Sequence, residues 1–329
     1  MMYNLTRLSN KKLTIRINIV TITFTIVIIM VIYSLLLKQC RSSSDSINNS
    51  QLKKQKYRLL ILIITAPDNM KERVMIRKSW LSDKSDNVKH LFAIGTENIQ
   101  LENQETLQSE QLKFKDLLLL PKLRDAYGTL TKKVLQSFKR INDEYDFDYL
   151  LKVDDDSFVL IHKLLVNLDT WEAKGYRKEL YWGFFNGKAQ VKRHGTWKES
   201  EWNLCDYYLP YAVGGGYVLA YNLVKYIAIN ADNLRLFNSE DVSVGLWLSA
   251  VANIERRHDI RFDTEYRSRG CSNDYLITHK QSPDNMKALH DYYTATGNLC
   301  SKEFSNRMSY HYNWTVPPSQ CCVRKPGII

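Results

Sequence analysis

The sequence predicts an α/β domain with a central, mostly parallel mixed sheet, preceded by a single N-terminal transmembrane helix. Three observations lead to this prediction. Apolar runs of strand length alternate with stretches in which apolar residues recur every three or four positions, as in amphipathic helices. One apolar run near the N-terminus is long enough to cross a bilayer. The 329 residues are 44% apolar and 25% charged, which is a globular composition with room for one large domain or two small ones.

The charge and the cysteines narrow the class of protein. A net charge of +11 favours anionic partners such as nucleotide phosphates, an acidic membrane or an acidic polysaccharide. The basic residues are dispersed and no nucleic-acid-binding motif is present, so we expect no nucleic acid partner. The cysteines lack zinc-ligand spacing, and their clustering late in the chain predicts disulfides formed in an oxidising compartment. We expect adjacent Cys321 and Cys322 to bridge to different partners.

The N-terminal region reads as a membrane anchor. Residues 1–16 are short and basic, which predicts a cytosolic tail, and residues 17–37 form an uncharged, almost unbroken apolar run. A helix over that run, at about 1.5 Å per residue, is about 30 Å long and spans a bilayer. The run exceeds the apolar core of a signal peptide, so we predict an uncleaved signal-anchor. Residues 38–57 are polar without periodicity and predict a stem, and residues 58–329 then form the lumenal domain.

The first half of this domain alternates strands and helices. A buried strand is predicted at residues 59–64, and a helix carrying Arg73, Arg77 and Trp80 follows it. From Leu123 onward, apolar residues recur every three or four positions and predict an amphipathic helix. The other strands predicted in this half lie at residues 90–94, 117–120 and 147–153.

Three consecutive carboxylates, Asp154, Asp155 and Asp156, follow the last of these strands. In open α/β sheets, ligands bind at the carboxyl ends of the strands. Clustered carboxylates repel one another, and a divalent cation offsets that repulsion. Taken alone, three consecutive acids favour a solvated acidic turn. The sequence therefore offers a candidate metal site, and other motifs in the chain decide between this interpretation and the acidic turn.

The second half supplies two further features. A strand at residues 211–219 carries the glycine run 214–216, and another strand is predicted at residues 180–185. Ser239 is a candidate helix N-cap, with Glu240 and Asp241 in the first turn. Acids in a first turn are common for capping and dipole reasons alone.

Taken together in this order, the Arg-x-x-x-Arg-x-x-Trp helix, the three acids, the glycine run and Glu240-Asp241-Val242 resemble the β-1,3-glycosyltransferases of glycosyltransferase family 31. The resemblance extends from Leu59 to the C-terminus. It implies a GT-A nucleotide-sugar-binding fold, a UDP-sugar donor, Mn²⁺, inversion of configuration, and a single-pass type II protein of the Golgi membrane with a lumenal catalytic domain.

Longer stretches narrow the resemblance to one branch of the family. That branch moves galactose from UDP-galactose to the galactose of galactosyl-xylosyl-serine, in the glycosaminoglycan linkage region of proteoglycan core proteins. This resemblance also allows a complex with other linkage-region glycosyltransferases, or a homodimer. The similar stretches are residues 116–121, 181–185, 204–211, 262–271 and 317–322.

The resemblance also assigns roles on the donor side. Asp156 would bind Mn²⁺, and Asp154 would contact the ribose or reach the metal through water. Asp155 and the backbone of Gly215 would lie in the donor pocket, and His279 would be a second protein ligand of the metal. Arg73 and Arg77 lie on one helix face and suit either the diphosphate or uracil, or a structural ion pair with a buried carboxylate.

On the acceptor side, Asp241 would be the general base, with Glu240 as a secondary candidate. An inverting transfer needs a carboxylate within hydrogen-bond reach of the acceptor hydroxyl. Trp182, Trp202 and Tyr208 are candidates for an apolar platform under the acceptor sugar, although aromatic runs also build cores.

Two alternatives stay open. The first is another β-1,3-glycosyltransferase that moves galactose or N-acetylglucosamine to glycoprotein or glycolipid glycans. The second is a noncatalytic Golgi glycan-binding member of the fold. The acidic set Asp154, Asp156 and Asp241 is intact, which favours an enzyme.

Overall fold

The computed structural model describes residues 27–36, 38, 54–175 and 179–328, in two units, Met1–Lys54 and Gln55–Ile329. In the first unit, residues 27–36 are helical and their side chains are exposed. Residues 1–16, most of the stem and half of the predicted anchor at 17–37 lie outside the described residues. No helix within the described ranges is long and apolar enough to cross a membrane.

A seven-stranded sheet forms the centre of the second unit, in the order β3-β2-β1-β4-β7-β6-β8. Strands β3, β2, β1 and β4 run parallel, β7 is antiparallel to both of its neighbours, and β8 is parallel to β6. The mostly parallel mixed sheet is therefore as predicted. These strands are β1 (Lys56–Ile64), β2 (Val88–Gly95), β3 (Leu117–Leu120), β4 (Asp146–Asp154), β6 (Leu180–Asn186), β7 (Tyr211–Ala220) and β8 (Glu255–His258).

The central strands are apolar along almost their whole length because both faces of the sheet are covered. Residues 59–63 of β1 have no exposed surface. The register pairs Ile64 with Asp154, so the carboxyl ends of β1 and β4 lie side by side. The acids that follow β4 therefore emerge at the edge of the sheet where α/β proteins bind ligands.

The three predicted helices are present, but two of them have different bounds, and the other four helices are additional to the prediction. The first helix ends at Lys78, so Trp80 lies beyond it. The third helix begins at Leu130, after a 3₁₀ turn at Tyr127–Thr129, and not at Leu123. Tyr127 is exposed, so it does not belong to the buried stripe that the spacing suggested. The helices are α1 (Met70–Lys78), α2 (Leu101–Phe114), α3 (Leu130–Glu144), α4 (Ile161–Ala173), α5 (Tyr221–Asn230), α6 (Glu240–Trp247) and α7 (Pro283–Thr296).

A second, three-stranded sheet lies next to the acids. It consists of β5 (Phe158–Val159), β11 (Ile277–Thr278) and β9 (Phe262–Asp263), with β11 in the middle. Thr278 pairs with Phe158 on one side and with Asp263 on the other. This pairing brings the residue after β11, His279, beside the residues that precede β5.

The disulfides correct one expectation. Cys271, in β10 (Gly270–Cys271), is bonded to Cys300, just before β12 (Phe304–Ser305). Cys321 and Cys322 are bonded to each other, so the expectation that they bridge to different partners is wrong. Within the described residues, the one remaining cysteine is Cys205, in an exposed loop.

Candidate active site

Backbone hydrogen bonds hold Asp156 and His279 side by side. The Gln281 N–H donates to the carbonyl oxygen of Asp156 at 2.8 Å, and the His279 N–H donates to that of Asp263 at 3.0 Å. These bonds continue the small sheet beyond its last paired residues. Two segments far apart in the sequence are thereby fixed against each other at the end of β4.

Asp154, Asp156 and His279 form a cluster whose ligand atoms all lie within 4.8 Å of one another. Nε2 of His279 is 2.9 Å from Oδ1 of Asp156 and 3.6 Å from Oδ2 of Asp154. Nε2 of His279 and Oδ1 of Asp156 are buried, yet neither has a hydrogen-bond partner among the described residues. A buried imidazole nitrogen and a buried carboxylate oxygen that converge in this way fit a cation between them.

The second ring nitrogen of His279 fixes the tautomer. Nδ1 lies 3.2 Å from the carbonyl oxygen of Glu265, and it can bond to that oxygen only by carrying the proton. In the neutral imidazole the lone pair of Nε2 is then free for a metal, with the second-shell bond that ligating histidines usually make. One imidazole and two carboxylates are a donor set that suits Mn²⁺, so the residues fit the metal that the family implies.

Asp156 is ionised in this cluster. Burial would raise its pKa, but contacts with His279 and Lys280 outweigh burial and lower the pKa of Asp156 to about 2. The Lys280 ammonium is 3.0 Å from Oδ2 of Asp156, and Lys280 has a left-handed backbone with φ of 65°. That conformation is uncommon for a residue with a side chain and often marks a functional site.

Gly215 packs directly behind the histidine. A Cβ at this position would lie 2.7 Å from Cγ and Nδ1 of His279, which is closer than real contacts allow. The hydroxyl of Ser157 donates to the carbonyl oxygen of Gly215 at 2.7 Å. The close approach of His279 thus requires glycine at position 215. The family resemblance predicted Gly215 in the donor pocket but did not predict this contact with His279.

Lys152 connects the metal cluster to the start of α6. Lys152 has no exposed surface. Its ammonium nitrogen lies 2.8 Å from Oδ1 of Asp154, 2.5 Å from Oε1 of Glu240 and 2.7 Å from the carbonyl oxygen of Gly214. Burial acts to lower the pKa of Lys152, but the two carboxylates outweigh burial and raise it. The buried cation is therefore charged and shared by both halves of the site.

The two acids of α6 have different environments. Glu240 is 3% exposed, is bonded to Lys152, and accepts the hydroxyl of Tyr217 at 3.0 Å. Burial raises the pKa of Glu240 against the opposing effect of Lys152. Because Glu240 is almost wholly buried and is paired with a buried cation, it is poorly placed to take a proton from a substrate.

Asp241 is half-buried and faces the glycine run. Its Oδ2 accepts the Gly214 N–H at 2.9 Å, and its Oδ1 accepts the Ser239 hydroxyl at 2.6 Å and the Val242 N–H at 2.8 Å. Ser239 occupies the N-cap position as predicted, but its side chain makes no capping bond and instead orients Asp241. Burial raises the pKa of Asp241. An oriented, half-buried carboxylate with a raised pKa has the properties of a general base.

Arg73 and Arg77 are placed in ion pairs, the second of the two roles considered from the sequence. Arg73 is fully buried and pairs with Glu110 at 2.8 Å, while one of its nitrogens donates to the carbonyl oxygen of Ala66 at 2.6 Å. Arg77 pairs with Glu110 at 2.7 Å and with Asp116 at 2.8 Å. The Arg73 guanidinium braces the loop after β1, whereas that of Arg77 ties α1 to α2 and to the residue before β3. Both groups are engaged in these ion pairs and not in the candidate site.

Asp155 turns away from its two neighbours. Its Oδ2 accepts the Asn69 side-chain amide at 2.8 Å, in the loop between β1 and α1. Burial raises the pKa of Asp155. The three acids therefore divide between two surfaces, with Asp154 and Asp156 on the metal side and Asp155 at the carboxyl end of β1.

The predicted acceptor aromatics are mostly interior. Trp182 has 0% exposure, and its indole N–H donates to Asp259 at 3.0 Å, which removes it from the acceptor surface. Tyr208 is buried in a small cluster with Phe237, and Trp202 is half-buried at the edge of that cluster. Only Trp202 retains surface for a sugar.

The sequence carried a signal for one of the missed residues. Lys152 is a lysine inside an otherwise apolar strand, and a buried cation requires an acidic partner. That requirement could have linked β4 to a distant carboxylate. No comparable signal marked Lys280, whose position depends on loop packing.

Comparison with known proteins decides the family. Residues 71–259 match the sequence model of the family described as Galactosyltransferase. The chain belongs to this galactosyltransferase family. The mouse protein named beta-1,3-galactosyltransferase 6 is 45% identical over 300 residues, which cover 89% of this chain and 92% of the mouse protein. These matches confirm the resemblance seen in the sequence, and with it an enzyme that uses a nucleotide-sugar donor and a glycan acceptor.

Two further matches are less similar to this galactosyltransferase. The Arabidopsis thaliana protein named hydroxyproline O-galactosyltransferase GALT2 is 32% identical over 246 residues, or 71% of this chain and 34% of the plant protein. Among solved structures, the crystal structure of S. aureus TarS aligns over 57% of this chain and 55% of its own, with 12% identity and a TM-score of 0.33.

Proposed function

We propose that this galactosyltransferase moves galactose from UDP-galactose to the galactose of galactosyl-xylosyl-serine, forming a β-1,3 bond with inversion. The observation that carries the proposal is one buried lysine, Lys152, that connects the candidate metal cluster to the start of the helix that presents Asp241. The 45% identity to the mouse protein named beta-1,3-galactosyltransferase 6 supports the donor and the linkage.

On the donor side, Asp154, Asp156 and His279 would hold Mn²⁺. When bound, Mn²⁺ supplies Lewis-acid stabilisation of the negative charge on the departing diphosphate. Lys280 adds a cation next to Asp156 and is exposed enough to approach a phosphate oxygen. These residues keep the charge of UDP at one end of the site.

On the acceptor side, Asp241 would take the proton from the 3-hydroxyl of the acceptor galactose as that oxygen attacks the anomeric carbon. The Gly214 N–H and the Ser239 hydroxyl hold the carboxylate in one orientation. Inversion requires the base and the leaving diphosphate to lie on opposite sides of the donor sugar. Separate donor and acceptor ends, joined by Lys152, suit a single displacement.

We place the enzyme in the Golgi membrane as a single-pass type II protein with its catalytic domain in the lumen. The apolar run at residues 17–37 supports an anchor. The Cys271–Cys300 disulfide supports an oxidising compartment.

The test is donor and acceptor profiling of the detergent-solubilised full chain with Mn²⁺. UDP-galactose and a galactosyl-xyloside should give a product whose new bond is β-1,3 by NMR. Transfer of N-acetylglucosamine in preference to galactose would refute the assigned donor. Transfer of galactose to glycoprotein or glycolipid glycans, but not to the xyloside, would refute the assigned acceptor.

A further inference from the structure

Two exposed aromatic side chains meet at the mouth of the candidate site. Trp197 is 36% exposed and Tyr266 is 72% exposed. Their ring centroids are 6.3 Å apart and their planes are inclined by 79°, which is an edge-to-face pair. Large aromatic side chains that remain in water side by side often mark a binding surface.

Trp197 is fixed to the half of the site that carries the base. The next residue, Lys198, accepts the Asn238 side-chain amide at its carbonyl oxygen, at 2.5 Å. The carboxylate of Glu199 is buried and accepts the Asn238 backbone N–H at 2.6 Å. Asn238 directly precedes Ser239, whose hydroxyl donates to Asp241. The loop that bears Trp197 is therefore connected by hydrogen bonds to the segment that orients the general base.

Tyr266 is fixed to the half that would carry the metal. The backbone carbonyl oxygen of its neighbour, Glu265, accepts a hydrogen bond from the Nδ1–H of His279. The Lys280 ammonium lies 5.7 Å from the centroid of the Tyr266 ring and 3.0 Å from Asp156. The aromatic pair therefore bridges the loop beside the metal cluster and the loop beside the base.

We propose that Trp197 and Tyr266 form the wall of a saccharide subsite that binds the apolar face of the acceptor galactose. This inference rests on the function proposed above. The donor sugar is held through its diphosphate, whereas the acceptor arrives from solvent and must lie near both Asp241 and the donor. The pair borders that space and is open to solvent. Galactose presents a face of C–H groups that suits an aromatic ring, which offers apolar area at little cost in conformational entropy.

The test compares Trp197→Ala and Tyr266→Ala with the wild-type full chain. Each should raise the acceptor KM roughly tenfold, a loss typical of truncating one aromatic anchor. The KM for UDP-galactose and the affinity for Mn²⁺ should stay within about twofold, because donor binding does not use the pair. Trp197→Phe and Tyr266→Phe keep an aromatic face and should recover most of the acceptor affinity.

Phe304→Ala is the matched control. Phe304 is 52% exposed on β12 and lies in neither loop of the pair. The Phe304→Ala variant removes a comparable area of exposed aromatic surface and should leave the acceptor KM unchanged. Acceptor KM values within about twofold of wild type in both alanine variants would overturn the proposal.

A binding measurement separates this proposal from the proposed function. Binding of methyl β-galactoside can be followed by saturation-transfer NMR in the presence of UDP and Mn²⁺, without turnover. The wild type should give a signal that both alanine variants lose. If no acceptor is galactosylated but this signal depends on the pair, the proposed function fails and the subsite stands. A signal that persists in both variants refutes the subsite whatever the activity.

Discussion

The ammonium nitrogen of Lys152 and Oε1 of Glu240 lie 2.5 Å apart in a part of the protein that water does not reach. Burying two charges is costly, and their mutual attraction offsets that cost only while both are present. The pair is shared with Asp154, so it also connects the candidate metal site to the helix that presents Asp241.

Lys152→Met should destabilise the protein by about 3–5 kcal/mol, because it leaves Glu240 buried without a counter-ion. The double variant Lys152→Met/Glu240→Gln removes both charges and should recover much of that stability. Urea unfolding at pH 7 measures the free energy of unfolding. A Lys152→Met variant as stable as wild type would contradict the assigned pairing.

Arg58→Met is the control for Lys152. Arg58 lies at the opposite end of the sheet and pairs with Asp148, Asp169 and Glu172 near the surface. Its loss should cost about 1 kcal/mol or less and leave galactose transfer unchanged.

His279→Ala should raise the Mn²⁺ concentration needed for half-maximal UDP binding by about 10–100-fold, because one protein ligand is lost. Asp156→Ala should abolish Mn²⁺-dependent transfer without loss of folding. Calorimetric titration of UDP at several Mn²⁺ concentrations measures the first effect, and a galactose-transfer assay with and without Mn²⁺ measures the second.

Asp155→Asn is the control for the metal variants, since Asp155 is adjacent in sequence but is bonded to Asn69. Its Mn²⁺ requirement should be that of the wild type. An unchanged requirement in His279→Ala would exclude His279 as a ligand.

Asp241→Asn should lower kcat by about 10²–10⁴-fold, the range for loss of a general base, while UDP and Mn²⁺ still bind. The wild-type kcat should fall as the pH drops through the pKa of Asp241, because the base must be ionised. Burial raises that pKa, so the fall should occur above about 3.9, the ordinary pKa of aspartate. Residual activity of Asp241→Asn should lack this acid limb, and a near-normal rate would show that another group is the base.

The ionisation of Asp116 should make the free energy of unfolding depend on pH in the acid range. Burial alone would raise its pKa, but His90 and Arg77 lower the pKa of Asp116 to about 2. Because the folded-state pKa is depressed, the stabilisation is complete above about pH 4 and is lost as the pH falls towards 2. The full contribution is about 2 kcal/mol. The free energy of unfolding of Asp116→Asn should fall less steeply than that of the wild type between pH 4 and 2, as measured by urea titration.

The strands and the acidic edge could be predicted because each is encoded locally. The apolar run of β4 and the acids after it are contiguous, and a parallel sheet fixes which end binds ligands. The environment of Arg73 could not be predicted, because its partner Glu110 comes from another helix. Trp182 and Trp197 have the same side chain, and only tertiary packing makes the first a core residue and the second a surface residue.

The pairing of β5 with β11 has a consequence for the order in which the protein matures. A chain that has emerged only as far as Asp156 holds the acidic motif but has no imidazole to complete the cluster. A slip of one residue between these short strands would turn His279 to the opposite face. Metal binding at this cluster would therefore report that the C-terminal third has docked in register, and a bound cation would stabilise only chains that have reached that state.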